Sequence, residues 1–356
     1  FVDTMLDETD ADFVMIDRRP APGGHWNDSY PFVRLHQPAC TYGVASTALG
    51  RNRVETRGTN RGLLELSSGT EVTSYFHTLM QDRLLPSGRV RFFPLAEQDQ
   101  ATSFVSRFSG ERHEVSVRRA IVEGTHLHTQ IPLTHTRKFT VAEGVRCEPV
   151  NNLPRLAPEH RHVTVLGAGK TGIDAVVWLL DNGWPDDAIR WIVPRDGWYW
   201  NRDRLQPGGA FFERTMEAMA SQNEACAAAT DLDDLCRLQE GNGMWARLDG
   251  DVWPSLYHAA TVSTMELESL RRVRDVVRPG RVSHIDPDRV ILTLGEIDAV
   301  EGSLYVDCTA TAAELNIGDT TPVFRPGHIA LQMIRLYQPC FSSALIAHMV
   351  ARGENE

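Results

Sequence analysis

Apolar positions along this chain fall into two periods, and the change from one to the other marks its elements. Residues 163–166 form a continuous apolar, β-branched run, and 173–180 then repeat at helical spacing. A buried strand feeding straight into a helix is expected there. Strand patterns recur at 12–17, 90–95, 102–108, 113–117, 120–123, 189–193, 289–294 and 304–307. Helical spacing is read at 1–6, 72–85, 211–236, 261–277 and 341–351. The alternation of strands with helices predicts an α/β architecture with parallel sheets. No repeat of solenoid length interrupts it.

Between the strand at 163–166 and its helix stand Gly167, Gly169 and Gly172, in the string VTVLGAGKTGID. Strand, glycine turn and helix in that order are the signature of a dinucleotide-binding βαβ unit. Gly167 permits the tight turn, Gly169 admits a pyrophosphate to the backbone, and Gly172 lets helix and strand pack closely. Lys170 and Thr171 sit on the turn as further phosphate contacts. A P-loop would need glycine at 164, where the chain has Thr164.

The strand at 12–17, DFVMID, ends in Asp17. A second strand of a dinucleotide fold ends this way, so that a carboxylate can accept from ribose hydroxyls. The acid usually trails its glycine turn by about 20 residues. A first strand and glycine turn are therefore expected upstream of Phe1.

At 356 residues with 42% apolar content, the chain has material for about two domains. The net charge of −11 argues against nucleic acid or an anionic membrane as a partner. No apolar run approaches the roughly 18 residues of a membrane span. Six cysteines occur singly, with no C-x-x-C pair, as in a reduced cytoplasmic protein. The histidines show no metal-ligand spacing, so no metal is expected.

Two dinucleotide half-motifs, the turn Pro22-Gly23-Gly24-His25-Trp26 and the pair Tyr30-Pro31 resemble the two-domain FAD and NAD(P)H flavoproteins. Within that group the chain is most similar to flavin-containing and Baeyer–Villiger-type monooxygenases. The resemblance implies two Rossmann-like domains: a discontinuous FAD domain (1–150 and 301–356) around an NAD(P)H domain (151–300) with a helical insertion at 211–277. The Baeyer–Villiger fingerprint is degenerate. Only His135 and Phe139 fit it, while Thr129 and Ile131 replace its Phe and Gly. The disulfide-reductase branch needs a redox cysteine pair that this chain lacks.

The resemblance carries roles onto particular residues. Asp17 with Arg18 would hold the FAD adenosine end, and Gly23, Gly24, His25 and Trp26 would approach the flavin or its pyrophosphate. Arg34, His36 and Gln37 fall on the loop at the flavin face, with Gln37 the candidate catalytic side chain because its amide both donates and accepts. Arg195 stands where NADP enzymes place a cation for the 2′-phosphate, although the adjacent Asp196 could serve an NAD ribose instead. Gln338 and Pro339 open a terminal helix whose dipole would favour negative charge on reduced flavin. The implied activity is a monooxygenase using FAD, NADPH and O2 on a small organic substrate through a C4a-(hydro)peroxyflavin. The alternatives are an NAD(P)H-dependent reductase or oxidase, and a non-catalytic nucleotide-binding redox sensor. The inserted helices would cover a substrate site or a homo-oligomer interface.

Overall fold

The computed structural model describes residues 1–125, 130–310, 321–335 and 338–354. Its first unit rests on a short parallel pair. Helix α1 (Val2–Glu8) leads into strand β1 (Phe13–Asp17), and helix α2 (Gly69–Leu79) returns the chain to β2 (Val90–Pro94). β1 and β2 pair in parallel, with Phe13 opposite Val90 and Asp17 opposite Pro94. Leu6, Leu79, Met80, Leu84 and Val90 form the core beneath them. A capping box starts α2: Ser68 Oγ accepts from the Glu71 amide, and the Glu71 carboxylate accepts from the Ser68 amide. An antiparallel meander (Ala96–Gln100, Ser103–Ser106, Arg112–Glu114) follows, and then strand β3 (Ile121–Glu123).

The second unit is a five-stranded parallel sheet. Its members are β4 (Cys147–Pro149), β5 (Val163–Leu166), β6 (Ile189–Ile192), β10 (Asp275–Val277) and β11 (Leu304–Asp307), in the order β10-β6-β5-β11-β4. β5 is buried along its whole length, as a strand covered on both faces must be. Helix α3 (Lys170–Asp181) packs Ile173, Val176, Leu179 and Leu180 into the same core. Two of the five strands come from outside 151–300, one from each side.

Between β6 and β10 the chain departs from the sequence expectation. It forms β7 (Gly197–Asn201), α4 (Phe212–Ala228), α5 (Leu232–Gly241), β8 (Trp245–Ala246), β9 (Leu256–Val262) and α6 (Thr264–Leu270). The single helix expected at 211–236 is two helices, because the Asp231 side chain accepts from the Asp234 amide at 2.8 Å and starts a new one. The helix expected at 261–277 is strand, helix and strand: β9 ends at Val262, Ser263 caps α6, and β10 joins the sheet edge. The insertion at 211–277 is therefore mixed, its helices lying beside a small sheet of order β8-β7-β9. The chain then returns to β12 (His328–Ala330), parallel to β3, and closes with α7 (Pro339–Arg352). α7 lies against α1, where His348 Nδ1 meets Glu8 at 2.7 Å.

Candidate functional site

The glycine turn has the geometry that its spacing predicts. Gly167 takes φ +111° at the end of β5, a conformation that favours glycine. A Cβ on Gly172 would collide with the Gly167 carbonyl oxygen, so the third glycine is what allows α3 to sit against the turn. A Cβ on Gly169 would meet nothing within 4 Å. Gly169 is the N-cap of α3 and has no side chain with which to cap it. The first amides of a 12-residue helix thus face open space, a donor set and dipole suited to a pyrophosphate.

Beyond β6, the next strand of the sheet, Arg195 is exposed, and its guanidinium has no hydrogen-bond or ion-pair partner among the described residues. Asp196 is buried and committed. Its Oδ2 accepts from Arg278 Nε at 2.9 Å and its Oδ1 from Arg278 Nη2 at 3.4 Å. Of the two neighbours that could recognise an adenosine ribose, only the cation is available to a ligand.

Lys170 and Thr171 turn inward rather than toward the open side of the turn. The Lys170 ammonium pairs with Asp174 one turn along α3 and lies 3.8 Å from Glu266 on α6. Asp174 also accepts from Tyr30 Oη at 2.6 Å, and Thr171 acts on the same hydroxyl by lowering its pKa slightly. Burial raises the pKa of Asp174 despite Lys170, and burial together with Asp174 raises that of Tyr30 well above its usual range. Lys170 as a phosphate ligand is thus corrected: its charge is spent on two buried carboxylates.

The same cluster reaches the 34–37 loop through Arg202, which is 1% exposed. Arg202 donates Nε to the His36 carbonyl at 2.8 Å and Nη2 to the Thr261 carbonyl at 2.9 Å. Its Nη1 lies 2.8 Å from Glu266 Oε2 and 3.3 Å from Asn60 Oδ1. Burial opposes ionisation of Glu266, but Arg202, Lys170 and the Ser263 amide hold its pKa below the ordinary carboxylate value. Burial, with Lys170 and Arg202 alongside, holds the His36 imidazole well below its usual value. Gln37 lies beside this hub, and its amide makes no hydrogen bond among the described residues. Arg34 is consumed by an ion pair to Glu55 and a 2.9 Å bond to the Leu66 carbonyl. It clamps the loop through Nε and Nη2, while Nη1 makes no hydrogen bond among the described residues.

A concavity of 320 Å³ gathers Gly23, Gly24, His25, Trp26 and Pro339, while Asp17, Arg18 and Gln338 are not among its lining residues. Gly23, Gly24, His25 and Trp26 form one wall, and Pro339 and Cys340 at the start of α7 form another. Gly23 and Gly24 take φ +115° and +54°, which turns the chain into a 3₁₀ segment, Gly24–Asp28. Trp26 is both wall and core: its Nε1 donates to Tyr42 Oη at 2.7 Å while its ring packs with Leu35, Ala39, Leu49 and Val72. Asp3 of α1 also lines this space, fixed by Ser46 Oγ at 2.5 Å and Arg83 Nε at 2.7 Å. Gln338 is the N-cap of α7, with its carbonyl accepting from the Ser342 amide. Asp17 closes β1 with Oδ1 accepting from the Arg19 amide at 2.9 Å, which leaves Oδ2 without a partner among the described residues. Arg18 is exposed beside it. These residues fit a flavin nucleotide by the chemistry of their donors. Arg34, His36 and Gln37 do not line this cavity; the His36 carbonyl is held instead by Arg202, the ion-pair partner of Glu266 on α6. His135 is exposed in a turn and Phe139 is core, while Thr129 lies outside the described residues.

Sequence reasoning missed Arg202, Glu266 and Arg278. Only Glu266 carried a signal, the Ser263-x-x-Glu266 capping box. Among the described residues no cluster of His, Cys, Asp and Glu could hold a metal ion, and no helix is long and apolar enough to cross a membrane.

No family model matches the sequence. Over all 356 residues the chain is 45% identical to uncharacterized proteins of Mycobacterium tuberculosis and Mycobacterium bovis, and it spans 66% of their length. Among solved structures it is similar to a mutant flavin monooxygenase from Stenotrophomonas maltophilia (TM-score 0.50, 13% identity, 96% of this chain and 90% of that one). It is likewise similar to bacillithiol disulfide reductase from Bacillus cereus (TM-score 0.51, 9% identity, 99% and 95%). A third is the FAD-bound cadaverine monooxygenase of desferrioxamine biosynthesis from Erwinia amylovora (TM-score 0.50, 12% identity, 96% and 89%). The chain has the α/β fold of flavoproteins with two dinucleotide-binding domains.

Proposed function

We propose that this protein is a cytoplasmic FAD- and NADPH-dependent oxidoreductase that acts as a monooxygenase on a small organic substrate. The observation that carries the reading is the pairing of an open glycine turn at Gly169 with an unpartnered Arg195. Bound to this fold, NADPH supplies a hydride and FAD relays the electrons to O2.

The residues divide the work as follows. The first amides of α3 receive the pyrophosphate, and Arg195 chelates the 2′-phosphate through its planar fork. Asp17 accepts from the FAD ribose, while Gly23 and Gly24 bring the backbone close and the start of α7 faces the same space. Trp26 and Tyr42 wall the cavity against water. Arg202 holds the His36 carbonyl, and so fixes the backbone that presents Gln37 at the seam between the two units. The six cysteines include no C-x-x-C pair, which supports an oxygenase or oxidase over a dithiol reductase.

The test is the fate of O2. With FAD-loaded protein oxidising NADPH in air, the correct substrate should lower the hydrogen peroxide formed per NADPH, and ¹⁸O from O2 should appear in the product. Peroxide yield insensitive to every substrate would favour an oxidase, and no NADPH consumption would favour a non-catalytic binder.

A further inference from the structure

A further concavity lies away from both cofactor positions. It is a groove of 540 Å³ on the outer side of α2, bounded by Arg51 and Arg53 on one bank and Thr70, Ser74 and Thr78 on the other. It shares no lining residue with the cavity at Gly23 to Trp26. At its floor lies Ser67, which is 4% exposed and whose hydroxyl has no hydrogen-bond partner among the described residues. That hydroxyl is therefore free to bond an occupant of the groove.

The charges are arranged for an anion. Neither the Arg51 nor the Arg53 guanidinium has an ion pair or hydrogen bond among the described residues. Of the two nearby acids Glu71 also lines the groove, and both it and Glu65 accept hydrogen bonds from the protein. Glu65 accepts from the backbone amides of Arg51 and Arg53. Glu71 accepts from the Ser68 amide at 2.7 Å and its hydroxyl at 2.9 Å, in the capping box. The first turn of the 11-residue α2 faces the groove at Thr70, and adds its dipole. Thr70, Ser74 and Thr78 repeat at i, i+4 and i+8, a ladder of hydroxyls about 12 Å long on one helix face. A bare phosphate would fill only one end of this space.

We propose that the groove binds a small hydroxylated phosphate ester, with its oxyanion against Arg51, Arg53 and Ser67 and its hydroxyls along the ladder on α2. The occupant would sit one hydrogen bond from the flavin-facing wall. Tyr75 lines the groove, and its hydroxyl donates to the Thr47 carbonyl at 2.5 Å and accepts from the Val44 amide at 2.8 Å. Val44 lines the 320 Å³ cavity.

Isothermal calorimetry on the full chain with glucose 6-phosphate, inorganic phosphate and glucose as separate probes tests this without reference to any activity. Glucose 6-phosphate should bind at least about tenfold more tightly than either fragment. The double variant Arg51→Ala/Arg53→Ala, at exposed positions, should weaken it by roughly 30-fold or more. Ser67→Ala should weaken it less, and saturating NADPH should leave it in place. Four results would each overturn the proposal: no heat from glucose 6-phosphate at millimolar concentration, equal binding of inorganic phosphate, persistence in the double variant, or displacement by NADPH.

Discussion

Arg202 and Glu266 form a buried ion pair, Nη1 to Oε2 at 2.8 Å, that ties the 34–37 loop to the helix of the glycine turn. Arg202 belongs to the segment after β7 and Glu266 to the first turn of α6, and each also has a partner on a third element. Through the His36 carbonyl the pair grips the first unit, and through Lys170 it reaches α3. Burying two charges is repaid only when the remaining donors and acceptors are largely satisfied, and Arg202 places four of its five N–H donors on acceptors.

Removing one partner should therefore be more damaging than removing both. Arg202→Met should lower unfolding stability by about 3–5 kcal/mol, because Glu266 is left buried with its nearest cation gone. Adding Glu266→Gln should restore part of that loss. Urea unfolding of the two single variants and the double variant gives the coupling energy. Additive losses would mean that the pair is not a unit.

The glycines of the turn should separate folding from binding. Gly172→Ala places a methyl group against the Gly167 carbonyl and should cost about 3 kcal/mol or more. Gly169→Ala meets nothing in the protein and should leave the melting temperature nearly unchanged. It should nonetheless abolish measurable NADPH binding, since the methyl group occupies the space that a pyrophosphate needs. Calorimetric unfolding and NADPH titration on both variants decide this.

Arg195→Ala should raise the KM for NADPH by about 1.5–3 kcal/mol in free-energy terms while sparing NADH. The prediction is sharper than the sequence alone would allow, because Asp196 is locked to Arg278 and does not compete for the ribose. Steady-state kinetics with both cofactors is the measurement. Equal losses would show that Arg195 supports structure.

His36 should make the protein acid-sensitive. Its folded pKa lies well below the usual value, so the unfolded chain binds more protons as pH falls below about 6.5. Stability contributed by the neutral imidazole is present above that pH and is lost as the pH drops toward the folded pKa. His36→Asn should flatten the decline in melting temperature between about pH 6.5 and 5. An unchanged slope would place the acid sensitivity elsewhere.

The turn at 167–172 was legible because Gly167 takes a positive φ and Gly172 packs against the Gly167 carbonyl, demands set within six residues. Asp17 was legible as the end of a short apolar strand. Lys170 was misread as a phosphate ligand because its carboxylate partners include Glu266, 96 positions away and brought close only by α6 packing on α3. The Asp196–Arg278 pair spans 82 positions, and no periodicity reports such a contact. The segment 261–277 read as one helix because its apolar spacing fits, while Ser263 and Glu266 signalled a start in its middle. Arg202 had no signature, since a buried arginine and an exposed one look alike in sequence.

The most direct test of the account is an anaerobic titration of the FAD-loaded full chain with NADPH, followed at the visible flavin band. The account predicts bleaching that is complete near one equivalent of NADPH and markedly slower with NADH. A flavin band that persists under excess NADPH, with the protein folded and the flavin bound, would contradict it.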